Sequence, residues 1–275
     1  MAFLAEHWEL VAALLAAGFA SGFAGGLFGI GGGIITTPAL YAIFKLLDYA
    51  AGPSFKTAIG TSLAVIIVTS IRSLATHHRA GHVDGDMLRA WGPWIAIGAG
   101  AGGALAHWAP VEILTVIFAG GALYVAQRRL FARSKAPAAP VNLTRKRMKI
   151  PLGLGTGFFS SLMGIGGGAM GVMVMTVAGR TMHQAIATSA GFGVAVAAPG
   201  VVGFILSGLA AEALPPLSIG YVNLPAFLAM AVMAGIAAPL GAKAAHNLDA
   251  DLLSKGFGAY VLVAAGALSV DVFTG

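Results

Sequence analysis

The chain has 275 residues, of which 58% are hydrophobic and only 9% are charged, whereas about a quarter of the residues of an ordinary soluble domain are charged. The 40 glycines lie within apolar runs, as they do in membrane helices that pack closely. The absence of cysteine excludes disulfides, thiolate metal sites and cysteine nucleophiles, and the composition favours an integral membrane protein over a soluble enzyme or a nucleic-acid-binding protein.

The apolar runs predict ten hydrophobic segments, at 10–28, 33–47, 57–76, 88–107, 111–128, 150–163, 167–178, 184–208, 224–245 and 252–270. A helix needs about 20 apolar residues to cross the hydrocarbon core of a bilayer. Segment 167–178 is therefore too short to cross alone, and 33–47 is short as well. The first ten residues lack the basic region of a signal peptide, so the first segment is expected to be retained.

Lysine and arginine are unevenly distributed over the loops. With the N-terminus outside, 14 of the 16 basic residues fall on one side, which the positive-inside rule identifies as the cytoplasm. This bias predicts a multi-pass protein of the bacterial cytoplasmic (inner) membrane with both termini in the periplasm. The basic linker 129–149 is predicted to lie in the cytoplasm, between a first membrane repeat (1–128) and a second (150–275).

The two halves are similar in sequence. Residues 21–35 and 156–170 are identical at eight of fifteen positions, including Gly-Ile-Gly-Gly-Gly in both. Residues 58–62 match 185–189, and 81–84 match 220–223, in the same order. Ordered matches indicate a duplication, and five segments in each half require the copies to face opposite ways. The predicted fold is all-α and integral to the membrane, with two inverted-topology repeats and glycine-rich broken or re-entrant hairpins, as in secondary transporters.

The glycine clusters are the first candidate binding elements. The short helices that follow them are expected to start near Gly31–Ile35 and Gly166–Met170, where unpaired N–H groups carry the positive end of the helix dipole. Two such starts near the middle of the membrane would bind an anion without a buried lysine. Alternatively, the glycines only permit close helix packing. The predicted substrate-binding glycines are Gly31, Gly32, Gly33, Gly166, Gly167 and Gly168.

Hydroxyl groups and one arginine complete the predicted substrate site. Thr61, Ser62, Thr188 and Ser189 lie early in the third segment of each half. Their hydroxyls either donate to an oxyanion or bond back to the carbonyl four residues earlier. Arg72 ends an apolar run, where it either faces the substrate or extends to the membrane margin.

Two pairs of polar residues recur at equivalent positions of the halves. Lys56 and His183 precede the Thr-Ser pairs and either attract an anion at the two mouths or anchor the interface. His107 and His246 also correspond, and are either a proton relay or solvated helix ends.

These motifs resemble those of the TauE/SafE family of sulfite-exporter-like membrane proteins. The resemblance rests on G-x-x-x-G-L-F-G-I-G-G-G-x-x-x-x-P-x-L across Gly22–Leu40, on A-I-G-T-S-L at 58–63, on G-H-V-D at 81–84 and on the second-half copies. It covers residues 10–270. It implies movement of sulfur-containing or related organic anions, such as sulfite or sulfonates, across the cytoplasmic membrane, usually outward.

The leading hypothesis is therefore a secondary transporter, an exporter of small anions of the sulfite and sulfonate class, that works by alternating access. No nucleotide-binding motif, cofactor or metal site is expected, and no catalytic residue, since the spans contain no HExxH motif or paired acidic residues. The alternative is a cation or metal ion transporter of the same architecture; a non-transporting membrane subunit is less favoured. The expected partners are the anion and the lipid bilayer, with no nucleic acid and with homo-oligomerisation left open.

Overall fold

A computed structural model describes residues 8–131 and 146–247, together with the separate positions 259, 262 and 266. These residues form nine helices and one short β pair. The helices of the first half are α1 (Trp8–Phe28), α2 (Gly33–Leu46), α3 (Ala51–Arg79), α4 (Gly85–Leu105) and α5 (Val111–Phe131). Those of the second half are α6 (Lys146–Met163), α7 (Gly168–Val177), α8 (Met182–Gly208) and α9 (Leu224–Asn247).

The predicted segments coincide with helices throughout the two long described ranges. The largest difference is in α3, which begins six residues before the predicted position 57 and ends three residues after 76. The polar residues at its two ends lower the local hydropathy, but they do not interrupt the helical backbone. The predicted segment 252–270 lies outside the described residues, apart from three helical positions, as does most of the linker 129–149.

The short β pair was not predicted from the apolar pattern. Strands β1 (Ser218–Ile219) and β2 (Val222–Asn223) are antiparallel and pair Ser218 with Asn223 and Ile219 with Val222. Gly220, between the strands, has a φ of 53°, in the left-handed region that favours glycine. The pair turns the chain sharply just before α9 begins.

Among the described residues, four helices are long and apolar enough to cross a membrane: α1, α3, α8 and α9. Helices α2 and α7 are apolar but shorter, as predicted for the segments after the glycine clusters. Large apolar side chains on the outside are exposed, among them Ile97, Leu206 and Val232. Many hydroxyl side chains, in contrast, are buried. This distribution is the one expected for helices surrounded by lipid.

The two halves pack against each other extensively. Helix α1 packs against α9, α4 packs against α6 and α8, and α3 lies along both α8 and α9. Small residues permit this close approach: a Cβ at Gly22 would collide with the Ala234 carbonyl, and one at Gly157 would collide with the Ile95 carbonyl. The core that positions the candidate site is therefore built from both halves.

Candidate functional site

Two glycine-rich loops interrupt the helices in the interior of the protein. Residues 29–33 connect α1 to α2, and residues 164–168 connect α6 to α7. Five of these glycines have a positive φ, between 61° and 83°: Gly29, Gly31, Gly32, Gly164 and Gly166. L-residues with side chains rarely adopt this conformation. The short helices begin at Gly33 and Gly168, within the ranges predicted from the sequence.

The two loops are in direct and reciprocal contact, and we call this contact, formed by residues 29–33 and 164–168, the glycine junction. A Cβ at Gly33 would collide with the carbonyl oxygen of Gly164 and would lie 2.8 Å from the Cα atom of Ile165. A Cβ at Gly168 would collide with the Gly29 carbonyl and the Ile30 Cα atom. The first residue of each short helix therefore packs on the loop of the opposite half.

The side chain of Ile66, on α3, fills the space beside the junction. Its Cγ2 atom lies 2.7 Å from the position that a Cβ would take at Gly31, and its Cδ1 atom lies 2.8 Å from that at Gly33. The same side chain is 3.1 Å from the Cβ position of Gly166. Ile66 is fully buried. An apolar side chain thus closes the junction in this conformation.

Hydroxyl groups satisfy the carbonyls that the irregular backbone of the loops leaves without helical partners. The Gly164 carbonyl accepts hydrogen bonds from Ser62 Oγ at 2.9 Å and from Thr37 Oγ1 at 3.3 Å. Thr69 Oγ1 donates to the Gly31 carbonyl at 2.8 Å. Unlike these two carbonyls, that of Gly32 has helical partners, the backbone N–H groups of Ile35 and Thr36, and it also accepts from the hydroxyls of Ser21 at 3.0 Å and Thr36 at 3.2 Å.

Thr61 and Thr188 make equivalent contacts with opposite halves. The Thr61 hydroxyl accepts a hydrogen bond from the backbone N–H of Asn223, and the Thr188 hydroxyl accepts one from that of Asp84, both at 2.9 Å. The side chains of Asp84 and Asn223 in turn accept from the N–H three residues later, at 3.0 and 3.1 Å. Each threonine therefore fixes the start of a helix that belongs to the other half.

The remaining predicted site residues differ in their surroundings. Ser62 contacts the junction, as described above, whereas the Ser189 hydroxyl donates to the Ala185 carbonyl four residues earlier. Gly167 also contacts α8, because a Cβ there would lie 2.6 Å from the Phe192 carbonyl. The structure thus brings the six predicted glycines and Ser62 together, and places the hydroxyl of Ser189 on its own helix.

Arg72 lies apart from the junction, in a surface cleft of about 440 Å³. Its side chain is exposed, and its Nε atom donates to the Gly235 carbonyl at 3.1 Å. The cleft is lined by Arg72, Ala75, Thr76, Arg79, Ala80, Pro239 and Lys243. Three of these residues, Arg72, Arg79 and Lys243, are cations, and none of them forms an ion pair within the described part of the chain. Arg180, in contrast, pairs with Asp84 at 2.9 Å.

Lys56 and His183 lie in two equivalent polar clusters, one for each half. Lys56 Nζ donates to the His107 carbonyl at 2.7 Å and lies 5.8 Å from the centre of the Tyr221 ring. The Tyr221 hydroxyl is 3.3 Å from His107 Nδ1, and burial raises the pKa of this phenol above its usual value. In the other half the His183 ring lies 5.8 Å from that of His82, the residue that matches Tyr221. The side chain of His246 is outside the described residues.

Several residues that contact the glycine junction were missed in the interpretation of the sequence. They are Ser21, Thr36, Thr37, Thr69 and Ile66. The signal for Thr69 was present, because it lies seven residues after Ser62 and therefore on the same face of the helix. Ile66 gave no signal, since an isoleucine in an apolar helix is typical of any membrane span.

Comparison with known proteins places the chain among membrane transporters. The family model described as Sulfite exporter TauE/SafE matches residues 14–268. A probable membrane transporter protein of Haemophilus influenzae is 34% identical over 87% of this chain and 90% of its own length. One of Methanocaldococcus jannaschii is 29% identical over 79% of each chain, and one of Bacillus subtilis is 27% identical over 66% of this chain and 79% of its own. No solved structure matches the chain.

Proposed function

Because the chain belongs to the sulfite exporter TauE/SafE family, we propose that it is a secondary transporter of small anions of the sulfite and sulfonate class. The family and the relatives establish a multi-pass membrane protein related to membrane transporters. The proposal goes beyond this in three respects: the substrate, the outward direction of transport and the alternating-access mechanism.

The main structural support for this proposal comes from the glycine junction. At the junction, Gly33 and Gly168 each begin a short helix, and each packs on the loop of the opposite half. The first N–H groups of a helix lack intrahelical acceptors and carry a partial positive charge, which favours anions. Irregular backbone at membrane depth is tolerated where it is buried in protein or lines a cavity. Two such helix starts in one buried place are suited to hold an oxyanion between them once Ile66 and the loops separate.

Reciprocal contacts support the two inverted repeats that alternating access requires. The hydrogen bond from Asn223 to Thr61 is matched by the one from Asp84 to Thr188. The packing of α1 on α9 is likewise matched by that of α6 on α4. In transporters built from inverted repeats, the two halves exchange conformations. This exchange opens the substrate site first to one side of the membrane and then to the other.

The distribution of charge supports an anion as the substrate. Arg72, Arg79 and Lys243 line one cleft, on the side of the membrane that the lysine and arginine bias assigns to the cytoplasm. Clefts lined by one sign of charge raise the local concentration of the opposite ion. Export of an anion is also assisted by an inside-negative potential, which is worth about 2.3 kcal/mol per charge per 100 mV. The proposal therefore includes a location in the cytoplasmic membrane with both termini in the periplasm.

The proposal is tested by flux into and out of proteoliposomes that contain the purified protein. Labelled sulfite and labelled sulfoacetate are followed in parallel, under a potassium diffusion potential of either sign. We expect saturable flux that increases when the potential drives the anion across, and none in liposomes without protein. Flux of a labelled divalent cation, with none of either anion, would replace the proposal by the cation alternative.

A further inference from the structure

Helix α3 has a buried polar face that continues beyond the glycine junction. Ser70, Ser73 and His77 follow Ser62 and Ile66 at intervals of three or four residues, which places them on one side of the helix. The exposed fraction of Ser70 is 0%, and those of Ser73 and His77 are both 1%. From Ser70 to His77 the face extends about 10 Å along the helix axis.

Two hydroxyls on this face lack a partner in the part of the chain that the structure describes. Among the described residues, neither Ser70 Oγ nor Ser73 Oγ has a hydrogen-bond partner. Hydroxyls in helices commonly bond back to a carbonyl three or four residues earlier. Thr76 of the same helix does so, to Arg72 at 3.0 Å, and Ser189 of α8 does so, to Ala185. A buried hydroxyl without a partner is costly, so these two serines are suited to a partner that is not part of the protein.

Ser70 lies at the end of this polar face that is nearest the junction. Its Oγ atom lies 3.1 Å from the Cβ position of Gly31, and a Cβ at Gly193 on α8 would collide with it. At the other end of the face, His77 Nε2 lies 3.3 Å from the Gly26 carbonyl, in the last part of α1. Polar groups therefore extend from the glycine loops toward the end of α3 that carries Arg79.

Helix α8, the counterpart of α3 in the second half, has no equivalent face. When Thr61 is matched with Thr188, the counterparts of Ser70, Ser73 and His77 are the apolar or small residues Ala197, Gly200 and Phe204. Duplication therefore does not explain the polar residues of α3, and close packing alone does not require them. Because these polar residues occur in only one of the two matched helices, they indicate a function on that side of the junction.

We infer that Ser70 and Ser73 line the cytoplasmic half of the anion path, with Ile66 as the apolar barrier between this half and the junction. This inference rests on the proposed function and on the orientation given by the basic residues. Its ligand is a hydrated oxyanion of the sulfonate type, which hydroxyls bind by donating hydrogen bonds. Neutral donors along a path hold an anion weakly enough for it to leave again.

The chain contains no cysteine, so that single-cysteine variants test this path directly. Ser70→Cys and Ser73→Cys are compared with the matched control Ala197→Cys in inside-out and right-side-out vesicles. Two methanethiosulfonate reagents of similar size are used, one with a sulfonate and one with a quaternary ammonium group. We expect the anionic reagent to label the serine positions from the cytoplasmic side about tenfold faster than the control, since thiol reactivity follows access. Sulfoacetate should slow this labelling.

The outcomes separate this inference from the proposed function. Labelling of both serine positions no faster than that of Ala197→Cys, in a protein that still transports sulfoacetate, would overturn the path and leave the proposed function standing. Labelling of both positions from the cytoplasmic side without any sulfoacetate flux would support the path and remove the substrate assignment. If the cysteine variants do not insert into the membrane, Ser73→Ala provides the test. We expect its flux to be about fivefold below that of wild type, because one hydrogen bond to the anion is lost. An unchanged flux would overturn the path.

Discussion

The contact between Gly168 and the opposite loop gives the sharpest prediction. Substitution by alanine adds one methyl group at a place where it would collide with the Gly29 carbonyl and the Ile30 Cα atom. Both are backbone atoms, so no side chain can rotate away. Ordinary van der Waals contact between carbon atoms requires about 3.5–4.0 Å, and the two loops must therefore separate by about 1–2 Å to admit the methyl group.

The size of this separation determines how much stability and flux the variant is expected to lose. Insertion of a methyl group into a well-packed core destabilises a protein by about 1–3 kcal/mol, and Gly168→Ala should fall in the upper part of this range because the obstacle is backbone. Displacement of the junction should also abolish sulfoacetate flux, since catalytic and binding geometries tolerate errors of only about 0.5 Å. Thermal unfolding of the detergent-solubilised protein and flux in proteoliposomes measure the two effects.

Two further variants serve as controls. Gly33→Ala places a methyl group against the Gly164 carbonyl and should reproduce both effects, because the contact is reciprocal. Gly155→Ala, in α6, should leave flux unchanged and should not lower stability, since nothing lies within 4 Å of its Cβ position and alanine is the better helix former. Wild-type flux in both Gly33→Ala and Gly168→Ala would refute the assignment of the junction to the transport site.

The remaining predictions concern three other parts of the molecule. Ile66→Ala removes the side chain that closes the junction, and should lower stability by about 2–5 kcal/mol while increasing passive sulfoacetate leakage from loaded liposomes. Thr61→Val and Thr188→Val each leave a backbone N–H of the opposite half without its acceptor; each should cost about 1–3 kcal/mol in unfolding experiments. Arg72→Gln and Lys243→Gln should raise the KM for cytoplasmic sulfoacetate more than they lower the maximal rate, and the effect should shrink as the salt concentration rises.

Each of these predictions has its own contrary outcome. Unchanged leakage in Ile66→Ala would show that the barrier lies elsewhere. Ser189→Ala is the control for the threonines, because its hydroxyl donates to Ala185 of its own helix; an equal loss of stability in this variant would remove the special role of the contacts between halves. A KM for Arg72→Gln equal to that of wild type at low salt would remove the cleft from the transport path.

Helix positions could be predicted from the sequence because they depend on local signals. Long apolar runs predict spans wherever the chain must satisfy its own backbone in lipid, and all nine helices in the described ranges coincide with such runs. The starts of α2 and α7 at Gly33 and Gly168 could be predicted as well, since a glycine cluster marks the break in the helix. The ends of α3 could not, because polar helix ends have no hydropathy signal.

The sequence by itself therefore determined the positions of the helices in the described ranges, the similarity of the two halves and the places where the backbone becomes irregular. Only the tertiary structure decided what each polar group does there. The hydroxyl of Thr61 accepts from a residue 162 positions away, Arg72 faces a cleft between α3 and α9, and Ile66 closes the junction. Hydropathy and spacing report on one element at a time, whereas these roles arise from contacts between helices that are distant in the chain.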